Sequence, residues 1–246
     1  MNNGLVILLN DQPDSLIFEG SDLIKSLKKR NYSILLPNHP GDIFTEKVAL
    51  NSREARLDDL TKLIQKHDTS GGKQLVIIGF GEGAYLTPAL ANITSASRSF
   101  IVNAGPYSLI DEYSAFLSLA LPDTNTLALL LNSNNLNDQK ELQEKVQAII
   151  DGDPGFDKLS NGTDFYFRDY QANPMMLELM KSEQPMYWII SKDYPLVSKE
   201  SRAFSEELAA SLHNVHLVEL EGLGNLNNSQ EMKQLTEIIE SLISSD

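Results

Sequence analysis

The chain has 246 residues, 41% of them hydrophobic, enough to bury the core of one large α/β domain. Its 34 Asp and Glu against 20 Lys and Arg give a formal charge of -14, which repels a phosphate backbone at long range and argues against nucleic acid and anionic membrane surfaces as partners. Cysteine is absent, so disulfides, thiolate metal sites and cysteine nucleophiles are excluded.

The chain opens on an apolar run of strand length with no basic segment before it, and no stretch nears the ~20 apolar residues of a membrane span. A cytoplasmic protein is expected. Six short apolar runs read as buried strands: 5–9, 32–36, 75–78, 100–102, 186–190 and 215–220. Between most of them lie segments of helical period. Leu23, Ile24 and Leu27 share a face in 21–30, and Leu57, Leu60, Leu63 and Ile64 share one in 53–67. Further helices are expected over 82–91, 198–212 and 230–243. Continuous apolar strands alternating with amphipathic helices imply a parallel sheet covered on both faces, with ligands received at the carboxyl ends of the strands.

The alternation breaks between 106 and 184. That interval carries helical patterns at 111–121, 124–131 and 138–150, then the aromatic segment 165–170 with Met175, Met176 and Met180 beyond it. The aromatic and methionine residues serve either to line a pocket or to pack an inserted cap onto the core. Asn31, Asn92, Asn161 and Asn227 begin N-x-[ST] triplets, read as chance in a chain rich in Asn and Ser.

The third strand runs into Gly79-Phe80-Gly81-Glu82-Gly83. These residues match G-x-S-x-G at every fixed position except the middle one, where the motif's nucleophile resides. The triple Gly79-x-Gly81-x-Gly83 lacks the final spacing of G-x-G-x-x-G, and no phosphate-binding loop is present. No cofactor is expected. Asp11, Asp42, Glu82 and Asp193 follow no metal-ligand spacing, so no metal is expected either.

With the elbow, two further segments resemble the α/β-hydrolases, most closely bacterial esterase- and peptidase-like members with a helical cap. The elbow of such enzymes often reads G-H-S-E-G-G, which 79–84 follows apart from the nucleophile. Ser191-Lys192-Asp193-Tyr194-Pro195-Leu196-Val197 resembles the family's G-x-x-D-x-x-V turn with Tyr194 at the acid. Glu221-Gly222-Leu223-Gly224-Asn225 resembles its P-G-x-x-H loop with Asn225 at the histidine. The resemblance implies a three-layer α/β-hydrolase fold, a mostly parallel sheet with a core over 1–105 and 185–246 and a helical cap over 106–184.

It also implies that no catalytic triad is present, because the three positions hold Gly81, Tyr194 and Asn225. Glycine offers no oxygen nucleophile, tyrosine titrates near 10, and asparagine carries no proton to a leaving group. A shift of one residue would present Asp193 as the acid instead. The loop that commonly offers an oxyanion N–H reads Asn10-Asp11-Gln12-Pro13, placing a carboxylate where negative charge would develop.

The expectation is a pseudo-hydrolase that binds a small carbonyl- or carboxylate-containing ligand, with Asn10, Asp11, His39, Gly81, Glu82, Tyr194 and Asn225 around the site. The binding function alternatively falls to a protein partner or second copy on the cap helices. The other reading is an enzyme with non-triad chemistry, a lyase, isomerase or unconventional esterase, using Tyr194, Asn225, Glu82 or His39. Glu82 sits where a helix dipole favours a carboxylate whatever its function. His67, His213 and His216 are expected to be structural or exposed.

Overall fold

Alternate residues of a strand point to opposite faces of a sheet, so a strand that is apolar at every position needs cover on both sides. The computed structural model describes residues 3–9, 21–37, 53–68, 74–109, 111–112, 115, 173–194, 197–221 and 229–244. Its six strands, β1 (Gly4–Leu9), β2 (Tyr32–Leu35), β3 (Gln74–Phe80), β4 (Arg98–Val102), β5 (Met186–Ser191) and β6 (Val215–Leu220), form one sheet in the order β2-β1-β3-β4-β5-β6. All five pairings are parallel.

The faces separate by residue parity. Leu5, Ile7, Leu9, Leu75 and Ile77 pack with α2 (Arg53–His67), α3 (Glu82–Thr94), α4 (Met175–Leu179) and α5 (Lys199–Ser211). Val6, Leu8, Val76 and Ile78 face the other way, onto α1 (Asp22–Lys29) and α6 (Ser229–Ile243). This gives three layers, with the six expected strands in place and the five expected core helices found.

The differences are local. Helix α3 runs on to Thr94 through Pro88, beyond the expected end at 91. The short α4 was not foreseen. It buries Met175 and Leu179 against α3, which is the packing role, while Met180 stands 61% exposed and lines no core. Of the expected cap, residues 110, 113–114 and 116–172 lie outside the described residues, including the helical patterns at 124–131 and 138–150 and the aromatic segment 165–170. The described ends of that interval meet. The Met175 N–H donates to the Tyr107 carbonyl (3.2 Å) and the Met176 N–H to that of Pro106 (2.9 Å).

Trp188 is completely buried at the centre of β5, and its indole N–H donates to the Ala104 carbonyl at 2.8 Å. Through that bond the strand holds the backbone that leaves β4. Among the described residues no helix is long and apolar enough to cross a membrane. Trp188→Phe keeps an aromatic ring but removes the donor from a buried carbonyl, so urea unfolding should show a loss of about 1–3 kcal/mol. A stability within a few tenths of wild type would contradict this role.

Candidate functional site

The carboxyl ends of β3, β4 and β5 carry the features that the sequence singles out. Phe80 ends β3, Glu82 begins α3, and Gly81 alone makes the turn, at φ 48° and ψ -117°. This pair lies outside the left-handed helical well and matches the first central residue of a type II′ turn, a position dominated by glycine. The Gly81 N–H donates to the Val102 carbonyl at 3.2 Å, and its own carbonyl accepts from the Ala84 N–H at 3.1 Å.

The flanking glycines are required for a different reason, which is space. A Cβ on Gly79 would lie 2.0 Å from Thr87 Oγ1 and 2.6 Å from the Gly83 carbonyl oxygen. A Cβ on Gly83 would lie 2.6 Å from the carbonyl oxygen of Leu9. The first turn of α3 therefore sits directly against the end of β1, where the chain enters 10–13. Among the described residues no side chain caps α3, whose N-cap residue is Gly81. The first N–H groups of the helix carry the partial positive charge of a helix N-terminus at the carboxyl edge of the sheet.

Two devices hold the neighbouring strand ends. Asn103, 3% exposed and left-handed at φ 56°, donates its N–H to the Ile189 carbonyl (2.9 Å) and accepts the Ser191 N–H on Oδ1 (3.0 Å). Asparagine tolerates that backbone better than most residues. Two residues on, the Gly105 N–H donates to the Tyr85 hydroxyl on α3 at 3.1 Å.

Beyond β5, the Arg202 guanidinium collects three carbonyls of one loop: Tyr194 at 2.8 Å, Val197 at 2.9 and 3.1 Å, and Ser191. Burial pushes the Arg202 pKa down, while the charges of Glu219 and Asp193 oppose that shift. Within the clamped loop Tyr194 is buried in the larger core cluster and Asp193 is exposed. The inward side chain of the pair is the tyrosine.

Gly81, the backbone of Glu82, and Tyr194 thus lie at the carboxyl ends of the two strands that flank β4. Asn10, Asp11, His39, Asp42 and Asn225 fall outside the described residues. His67, His213 and His216 are exposed, and the His216 ring stacks on Tyr187 at 5.3 Å. Among the described residues no group of three His, Asp or Glu side chains is placed to hold a metal ion.

Asn103 and Arg202 were missed, since neither belongs to a spaced motif. Ser108-Leu109-Ile110-Asp111 did carry a signal, the S-x-x-D helix start. In the structure Ser108 Oγ accepts the Asp111 N–H at 3.1 Å and donates to its carboxylate at 2.6 Å.

No protein-family profile and no curated protein sequence matches the chain. Solved structures do. The chain superimposes over its full length on the bromoperoxidase from Bacillus anthracis, covering 93% of it with a TM-score of 0.67 at 12% identity. It is similar over the same extent to the enol-lactonase from Burkholderia xenovorans, with 93% of that chain covered, a TM-score of 0.66 and 13% identity. This protein has the α/β-hydrolase fold. A thioesterase domain from the curacin biosynthetic pathway shares it, with 97% of this chain and 91% of that one covered, a TM-score of 0.60 and 14% identity.

In an α/β-hydrolase the G-x-S-x-G turn between strand and helix presents the nucleophile at its apex. The turn between β3 and α3 here has Gly81, without a side chain, as its single residue. Placing a Cβ there in the same backbone conformation should cost about 1–3 kcal/mol. Gly81→Ala should accordingly lower the urea midpoint. Gly83→Ala should lower it as well, by overpacking against the Leu9 backbone, for about 1–3 kcal/mol. Wild-type stability in both variants would show that the turn is not built as described.

Proposed function

We propose that this protein is a pseudo-hydrolase: an α/β-hydrolase fold that keeps the elbow's backbone and has given up its chemistry, serving to bind a ligand in the cytoplasm. The observation that carries the reading is Gly81 at φ 48° and ψ -117°. Strained backbone of this kind persists where surrounding structure over-determines it, and here Gly79 and Gly83 crowd both sides of the turn. Glycine relieves the strain and removes the nucleophile together.

The acid and histidine positions agree with that reading. Tyr194 fills the inward position after β5, and a phenol with an ordinary pKa near 10 does not orient an imidazole as a carboxylate does. Asn225 stands where the histidine is expected.

What remains is a helix N-terminus beside the end of β1 that no described side chain caps. Backbone N–H groups there favour a carbonyl or carboxylate oxygen, so the ligand class is a small molecule carrying one. The interval 106–184 is read as the cap, its two ends tied together by the backbone bonds of Pro106 and Tyr107 to Met176 and Met175.

The test is turnover of short- and medium-chain chromogenic esters by the purified protein, with Gly81→Ala as the control for contaminating esterases. The expected outcome is no turnover that differs between the two proteins. Turnover that falls in the variant would overturn the reading and make the protein an unconventional hydrolase. Native mass spectrometry of the same material separates two forms of binding: a retained small mass supports the small-ligand reading, and a second polypeptide replaces it with a protein partner.

A further inference from the structure

Glu112 is a carboxyl group buried to 1% exposure, and among the described residues no Lys, Arg or His forms an ion pair with it. It follows β4 by ten residues, in the segment that leaves the core there, and takes no part in the site described above. Its Oε2 accepts a hydrogen bond from Ser201 Oγ on α5 at 2.8 Å. Oε1 has no hydrogen-bond partner among the described residues. That oxygen is pressed onto Gly105, where a Cβ would lie 1.8 Å from it. A charged carboxylate with one oxygen buried and without a hydrogen bond is costly, whereas the neutral acid in the same place is far less so.

We propose that Glu112 is a pH-sensitive latch: as a neutral acid it holds residues 105–109 and 111–112 against α5, and on losing its proton it weakens that attachment. The inference does not depend on the pseudo-hydrolase reading. Among the described residues, three groups act on Glu112. From its own segment, the negative charge of Asp111 favours the neutral form and the Tyr107 backbone N–H favours the charged one; from α5, the Ser201 hydroxyl favours the charged one. Burial outweighs both hydrogen bonds and pushes the carboxyl up to about 7. The unfolded chain releases the same proton near 4.5. Stability from this group is therefore present at low pH, falls as pH rises from about 4.5 through about 7, and stays flat above.

The experiment is urea unfolding of wild type and Glu112→Gln from pH 5.5 to 8.5, since glutamine mimics the neutral acid and keeps an acceptor for Ser201. Between those limits the wild-type unfolding constant should rise about thirtyfold more than that of the variant. Amide exchange over 105–112, corrected for intrinsic base catalysis, should lose protection above pH 7 in wild type only. Equal pH slopes in the two proteins would overturn the latch. Should Glu112→Gln fail to fold, Ser201→Ala decides: losing a bond that favours the charged form should move the wild-type fall in stability to higher pH, and an unmoved profile would overturn the proposal.

Discussion

One residue's backbone sets the geometry of the functional edge. Gly81 reverses the chain between β3 and α3 in a conformation that residues with a Cβ avoid. Because the reversal takes a single residue, α3 starts immediately beyond the sheet, and its first turn must pass close to both flanking strands. The result is the tight approach of Gly83 to Leu9 on one side and the bond from Gly81 to Val102 on the other. A looser turn would move the helix N-terminus, and the partial positive charge that its first N–H groups carry, away from the strand ends.

Around this turn the edge is built from backbone carbonyls and N–H groups, tied by side chains acting as connectors. Asn103 joins the end of β4 to β5, Trp188 joins β5 to the segment beyond β4, and Arg202 gathers the loop that carries Tyr194. Each connector satisfies groups that would be costly to bury unpaired. Together they tie the strand ends around a turn whose single residue, Gly81, carries no side chain.

Much of the fold was legible because both cores are written into each central strand: Leu5, Ile7 and Leu9 belong to one and Val6 and Leu8 to the other. The glycine turn between β3 and α3 was legible as well, since Gly79 and Gly83 frame Gly81 and have their own steric reasons to be glycine. Helix α4 was not, because five residues hold too little of a 3.6-residue period to show a face. Nor were the connectors. Arg202 acts eight residues from Tyr194 by bonding carbonyls, which every residue possesses, so no spacing of side-chain types marks it. Glu112 reads locally as one more charge in Asp111-Glu112, and its contacts with Gly105 and Ser201 are made by residues distant from it in the sequence pattern.

The central claim is that the elbow's architecture survives without a nucleophile. It is tested most directly by exposing the folded protein to an excess of a fluorophosphonate, which labels activated hydroxyl nucleophiles covalently, and reading the intact mass. The account predicts an unmodified chain. A stoichiometric adduct, lost on unfolding before treatment and mapped by peptide mass to a residue at the carboxyl edge of the sheet, would contradict it.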